Sequence, residues 1–112
     1  MIKITYEQFE QVELRSGTIT RAEDFARAKK PTYKIWADFG EDIGILQTSA
    51  QVTHHYTQDQ LLGKQIVGCV NLDAKNIAGF MSQFLLVGFK DHNNHVCLIG
   101  PDPTVANGQK LF

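Results

Sequence analysis

Two apolar runs dominate the pattern of the chain, Ile66 to Leu72 and Phe84 to Phe89, and in both the odd and the even positions are apolar. Without period-2 alternation neither run is the half-wetted strand of a simple sheet, so each predicts a strand covered on both faces. Both fall far short of the roughly 20 apolar residues that a membrane helix needs. Between them runs a polar connection, Asp73 to Ser82, with Asn71 at its entry, Lys75 and Asn76 in its middle and Gln83 at its exit. A polar loop held between two buried strands is where functional side chains are expected.

Ahead of these runs, Thr5 and Gln8 have capping-box spacing and predict a short helix to about Glu10, with Tyr6 and Phe9 facing inward. From Val12 the pattern turns strand-like: Val12 and Leu14 are apolar on one face, Ile19 on the other, with Gly17 between. A strand whose inward face switches at a glycine is bulged or sharply coiled, which lets it serve both halves of a small barrel. A basic connection, Phe25 to Thr32, is stopped by Pro31. Tyr33, Ile35, Ala37 and Phe39 then alternate with Lys34, Trp36 and Asp38, so Lys34 and Trp36 share an outward face. A lysine beside an aromatic on such a face suits base stacking and phosphate contact. Burial of Trp36 under a loop or at a subunit contact fits the same pattern.

The remaining elements are short. Gly40 to Gly44 reads as a tight turn into a strand from Ile43 to Thr48, and Thr57 with Gln60 repeats the capping-box spacing before one helical turn ended by Gly63. The Asp91 to Asn94 turn leads to a strand from Val96 to Ile99, Asn107-Gly108 signals another turn, and Leu111-Phe112 reads as tied down. Five or six short strands, a coiled first strand and a helix after the third predict an all-β protein, a Greek-key barrel of the OB type with short helices. An SH3-like barrel fits the pattern as well. One domain over residues 1–112 suits a chain of this length.

Charge sharpens this picture more than composition does. The net charge of −1 argues against a general polyanion binder. Yet between residues 15 and 34 six basic side chains meet two acidic ones, a balance of +4, whereas residues 35 to 62 hold four acidic side chains and no Lys or Arg. A basic stretch on an otherwise acidic chain can turn a positive face toward phosphates, and a solvated loop explains it equally well. The N-terminus lacks the apolar core of a secretory signal, so a cytoplasmic protein with no membrane insertion is expected.

Catalytic and metal chemistry find little support in spacing. Cys69 and Cys97 lie in apolar runs without CxxC spacing and read as small core residues. His92, His95 and Cys97 lack a fourth ligand nearby in sequence, so DHNNH reads as a hairpin tip, and the adjacent His54 and His55 read as surface residues. Ser49 and Ser82 have no histidine partner at a fixed spacing, so neither an enzyme nor a cofactor is expected.

Taken together, VELRSGTI at 12–19, PTYKIWADFG at 31–40, IGILQTSAQVT at 43–53, GKQIVGCVNL at 63–72, the run from Lys75 to Phe89 and GPDPTVANG at 100–108 resemble the CsaA family. That family belongs to the wider group of tRNA-binding domains also found as the C-terminal appendage of methionyl-tRNA synthetases. The resemblance covers nearly the whole chain in order. It implies an OB fold, a homodimer, recognition of tRNA by its shape, and a chaperone-like binding of unfolded or export-destined polypeptides. Carried over position by position, Arg15 and Lys34 match basic residues of the first two strands. Ser49, Ala50 and Gln51 match the SAQ motif, Asn71 the asparagine ending the fourth strand, and Ser82 the serine before the fifth. Trp36 and Leu46 stand where Lys is often seen, Lys75 stands for Arg, and Gln83 for Glu.

These departures exchange phosphate attraction for apolar surface. They place a CsaA-like chaperone first among the expected functions, with Trp36, Leu46, Phe80 and Met81 as its peptide surface. Phe80 and Met81 suit a plug at the barrel end or a dimer seam equally well. A tRNA surface of Arg15, Lys34, Ser49, Gln51, Asn71, Lys75 and Ser82 would accompany it. A structure-specific, non-catalytic tRNA binder is the alternative. The two-faced runs, with Val105 to Phe112, predict the homodimer interface.

Overall fold

In the computed structural model, which describes residues 1–112, the elements run α1 (Tyr6–Glu10), β1 (Leu14–Asp24), β2 (Tyr33–Asp38), β3 (Ile45–Ala50), α2 (Gln58–Leu61), β4 (Gln65–Cys69), β5 (Lys75–Ile77), β6 (Phe80–Ser82), β7 (Leu85–Leu86), β8 (Gly88–Lys90) and β9 (Val96–Leu98). Both helices start as their spacing predicts. Thr5 and Thr57 accept from the backbone N–H three residues on, and Gln8 and Gln60 reach back to the capping residue. One inward assignment fails: α1 buries no residue, and Tyr6 is exposed with its ring 6.3 Å from that of Phe9. Five residues are too few to present a stripe to the core.

The barrel is organised by β1. Its first half pairs antiparallel with β4, from Leu14 opposite Cys69 to Thr18 opposite Gln65, and its second half pairs with β2, from Thr18 opposite Asp38 to Asp24 opposite Tyr33. The five-stranded sheet has the order β3-β2-β1-β4-β7. It closes through the segment before β7: Gln83 donates its backbone N–H to the Gln47 carbonyl at 2.8 Å, and Thr48 Oγ1 donates to the Phe84 carbonyl at 2.7 Å. The result is a nearly closed antiparallel barrel with short helices, the OB-type fold expected.

The coiling of β1 has a different origin from the one its glycine suggested. The register breaks between Ile19 and Arg21, so the bulge falls at Thr20. Gly17 serves packing instead. A Cβ there would lie 2.7 Å from the Phe39 ring, and one on Gly68 would lie 2.7 Å from Phe39 and 2.8 Å from Phe84. The two rings meet edge to face at 4.9 Å inside a core that includes Ile19, Ile35, Leu61 and Ile66.

The chain itself covers much of the apolar surface that the sequence assigns to a partner. Ile66, Val67 and Cys69 are buried, but Leu72 lies beyond β4 and is exposed, as are Leu85 and Phe89. Residues 100–111 run across β1 and β4. Ser16 Oγ donates to the Ala106 carbonyl and accepts from the Gln109 N–H, the Gln65 side chain exchanges two hydrogen bonds with the Val105 backbone, and Leu111 donates its N–H to the Leu14 carbonyl. The C-terminal segment is thus an extra strand-like cover tied down as far as the Leu111 backbone, whereas Phe112, read from the sequence as tied down with it, is fully exposed.

Glu13 latches that segment. Its carboxylate accepts from Arg15 at 3.1 Å and from Lys110 at 3.0 Å, and these bonds, Lys110 first, hold its pKa below the ordinary value of 4.5. A carboxylate whose folded pKa is depressed contributes stability above its unfolded pKa and loses it as the pH falls through the folded value. Thermal melts below pH 4.5 should therefore fall less steeply for Glu13→Gln than for the native protein, with the two curves parallel above that pH.

Candidate nucleic-acid interface

The alternation in β2 delivers its outward row as expected. Lys34, Trp36 and Asp38 are half-buried, whereas Tyr33, Ile35 and Ala37 are core residues. Register then sets the neighbours: Glu23, Arg21 and Thr18 of β1 flank the row on one side, and Ser49, Gln47 and Ile45 of β3 on the other. Leu46 does not belong to this face. It lies opposite Ala37 and packs against the core, so its expected place beside Trp36 on a peptide surface is corrected by one residue of register.

The β5–β6 hairpin docks against β3 at the edge of this outward row. Its two-residue turn, Ala78-Gly79, has φ of 48° and 86°, the conformation that matches strand twist in a tight hairpin, and Asn76 Oδ1 accepts from the Gly79 N–H at 2.8 Å. Ser82 Oγ accepts from the Ser49 N–H at 3.0 Å and lies 3.0 Å from Ser49 Oγ, and Gln47 Nε2 donates to the Met81 carbonyl at 2.9 Å. Ser49 and Ser82 are therefore the clasp that positions the hairpin. That clasp brings Phe80 over the sheet.

Phe80 meets Trp36 at 5.9 Å and Phe25 at 5.6 Å, both edge to face. Lys34 Nζ lies 4.9 Å from the Phe25 centroid and 5.1 Å from that of Phe80, while the Arg21 guanidinium sits 4.5 Å from the centre of the Trp36 ring. Arg21 is also paired with Glu23. Phe25 is buried, whereas Trp36 and Phe80 are half-buried, so these two rings are the ones that can offer π-faces to bases beside the two cations. Arg27 reaches the hairpin turn, 3.8 Å from where a Gly79 Cβ would stand, and Lys29, Lys30 and Lys75 are exposed nearby in the same loop or hairpin.

Of the residues named from the sequence, Lys34, Trp36, Ser49, Lys75, Phe80 and Ser82 come together here, and exposed Gln51 follows the strand end beside them. Met81 alternates away from Phe80 and is exposed, as is Ile45. Arg15 and Asn71 lie toward the other end of β1. Arg15 Nη1 donates to the Gly108 carbonyl at 3.0 Å, so its guanidinium ties down the C-terminal segment together with Glu13. Asn71 Oδ1 accepts from the Glu13 N–H at 2.9 Å and its Nδ2 donates to the Gln11 carbonyl at 2.7 Å, pinning the entry to β1. Arg21 and Phe25 were missed. The bulge at Thr20 hides the parity of Arg21, although a lone Phe in the basic stretch FARAKK was a visible signal for Phe25.

A barrel whose outer face carries Arg21 on β1 and Lys34 and Trp36 on β2, with Phe80 brought over it by the hairpin, has the architecture of an oligonucleotide-binding fold. Comparison with known proteins narrows this. Residues 14–110 match the family model described as "Putative tRNA binding domain". The crystal structure of the chaperone CsaA from Bacillus anthracis is 38% identical and superposes with a TM-score of 0.92 over 99% of this chain and 100% of that one. The CsaA chaperone protein of Picrophilus torridus is 38% identical with a TM-score of 0.91, over 98% of this chain and 100% of that one. A methionine–tRNA ligase of Chlorobium chlorochromatii is 29% identical over 96% of this chain, which spans only 15% of that protein's length. The chain belongs to the tRNA-binding-domain family, on its CsaA branch.

Proposed function

We propose that this chain is a non-catalytic, cytoplasmic binder of tRNA that holds the folded RNA by its shape and phosphates on the outer face of β1, β2 and β3. The observation that carries the reading is Lys34, whose ammonium lies within about 5 Å of both the Phe25 and Phe80 rings. It presents a charge to phosphate at the spot where bases can stack. Arg21, Arg27 and Lys75 border the same surface, and Ser49 and Ser82 hold it in place. Asn71 and Arg15 act through the scaffold. The family match over residues 14–110 supports the RNA class of ligand.

With so few cations, affinity should be modest and steeply salt-dependent. Filter binding across a salt series tests it. The Lys34→Ala, Lys75→Ala double variant should bind tRNA more weakly at every salt concentration, with the slope of log K against log salt reduced by about two. Equal binding by variant and native protein would show that the face is misassigned.

A second reading, binding of unfolded polypeptide, is favoured by Ile45, which is 59% exposed at the end of the row that holds the half-buried Trp36, and by Met81, which is 42% exposed on the other face of the hairpin from Phe80. An exposed, flexible thioether suits promiscuous contact. The likeness to CsaA chaperones supports it too. The loss of Leu46 to the core makes this apolar surface smaller than the sequence implied, and the tRNA reading takes precedence for that reason.

We further propose a homodimer. Val12, Leu72, Leu85 and Leu111 are exposed apolar side chains on segments that adjoin one another through the Val70–Glu13, Leu111–Leu14 and Cys69–Leu85 pairings. Such a patch is best covered by its own copy. Light scattering should give twice the chain mass at micromolar concentration, and Leu85→Asp should give the monomer mass.

A further inference from the structure

Three histidines that sequence spacing left scattered, His54, His55 and His95, meet at the loop after β3. His55 lies on the loop after β3, Asp91 in the β8–β9 turn and Cys97 on β9. One donor atom from each, an imidazole nitrogen, a carboxylate oxygen and the sulfur, lies within 4.8 Å of the other two. We propose that His55, Asp91 and Cys97 form a binding site for a transition-metal ion of the zinc(II) class, which ties the β8–β9 hairpin to the loop after β3.

Distances favour closure around an ion. In a tetrahedral zinc site with bonds of about 2.0–2.3 Å, neighbouring donors stand roughly 3.3–3.8 Å apart. His55 Nε2 and Asp91 Oδ2 are now 2.7 Å apart and would spread slightly, while Cys97 Sγ would move inward. Cys97 is a free, half-buried thiol. The fourth position falls to water, because only three side chains converge.

The supports of these side chains are already in place. Asp91 Oδ1 accepts from the backbone N–H groups of Asn93 at 2.9 Å and His95 at 3.0 Å, which leaves Oδ2 aimed at His55. Tyr56, next to His55, is anchored at both ends: its hydroxyl accepts from the Leu98 N–H at 2.8 Å and its carbonyl accepts from the Tyr33 hydroxyl at 2.8 Å. His54 stacks on His95 at 3.6 Å with the rings 8° from parallel, and both stand edge-on to His55. Outer contacts of this kind orient metal ligands.

The donor set also selects the ion. A thiolate with an imidazole and a single carboxylate favours zinc, cobalt or nickel over magnesium or calcium, which need more oxygen ligands. On binding, Cys97 releases its thiol proton to solvent and His55 coordinates through Nε2 with its proton on Nδ1.

The test is a cobalt(II) titration of reduced, tag-free protein followed by absorption, with zinc(II) added in competition. The native chain should develop a thiolate-to-cobalt charge-transfer band that saturates at one ion per chain and bleaches with zinc. Cys97→Ser should abolish that band, and His55→Ala, on an exposed loop, should weaken zinc binding at least about tenfold. Cys69→Ala and His92→Ala should change neither reading. Zinc should raise the melting temperature of the native protein and leave that of folded His55→Ala unchanged. Absence of the band, its survival in Cys97→Ser, or affinity that tracks Cys69 or His92 overturns the site.

Discussion

Replacing Phe80 by alanine should lower tRNA affinity by about tenfold to a hundredfold, the loss of one stacking platform at roughly 1–3 kcal/mol. Phe80 is the ring that touches both Trp36 and Phe25 and lies beside Lys34, so its removal also takes away one of the two rings against which the ammonium lies. It sits half-buried on a hairpin clasped by Ser49 and Ser82, outside the barrel core. The fold should therefore survive, and Phe80→Trp should recover most of the binding. Anisotropy of labelled tRNA measures both variants. If Phe80→Ala unfolds the hairpin without touching affinity, the aromatic cluster is structural and the RNA face lies elsewhere.

The second large effect is on stability. Gly68→Ala should cost about 1–3 kcal/mol, because a methyl group there would stand 2.7 Å from Phe39 and 2.8 Å from Phe84, both fixed in the core. Neither ring is the free end of a flexible side chain. Phe39→Leu by itself should also destabilise the barrel, by shrinking the filling between Gly17 and Gly68. Combined, the two changes should cost less than the sum of the single variants, since the smaller side chain makes room for the new methyl. Urea denaturation of the four proteins provides the cycle. Strict additivity would mean that the glycine is required for a reason other than the ring.

These expectations rest on features that differ in how far the sequence reveals them. Local signals were legible: two capping boxes and the alternation of β2 involve residues within a few positions of one another, so periodicity and spacing suffice. The barrel class followed from the order of such elements and from the family resemblance. What escaped were matters of register and long-range closure. The parity of Leu46 depends on how the Gly40–Gly44 turn aligns β3 with β2, and the pairing of Leu46 with Ala37 and of Gln47 with Trp36 decides which neighbours face out. The bulge at Thr20 moved Arg21 onto the site unseen. Burial of β4 on both faces was correctly anticipated, but its cover is the chain's own residues 100–111, a contact made across more than thirty positions that no local pattern encodes.

The same logic explains the divided fate of the motif residues. Asn71 and Ser82 look alike from sequence as polar ends of apolar runs, yet one pins the entry to β1 and the other clasps the β5–β6 hairpin. Trp36 stands where a basic residue is often seen in the resembling family, and the structure gives it Arg21 as a partner at 4.5 Å. The cation lost from the strand is thus returned to the same surface from β1. Charge on this face is rearranged more than removed.

Trp36 is the chain's one tryptophan and stands inside the proposed RNA face, which makes its emission the most direct measure of the central claim. Titration with folded tRNA should change Trp36 fluorescence in a saturable manner. The apparent affinity should match that from filter binding, fall steeply with added salt, and weaken in Lys34→Ala. Binding of tRNA with Trp36 emission unchanged would contradict the placement of the site on the outer face of β1, β2 and β3.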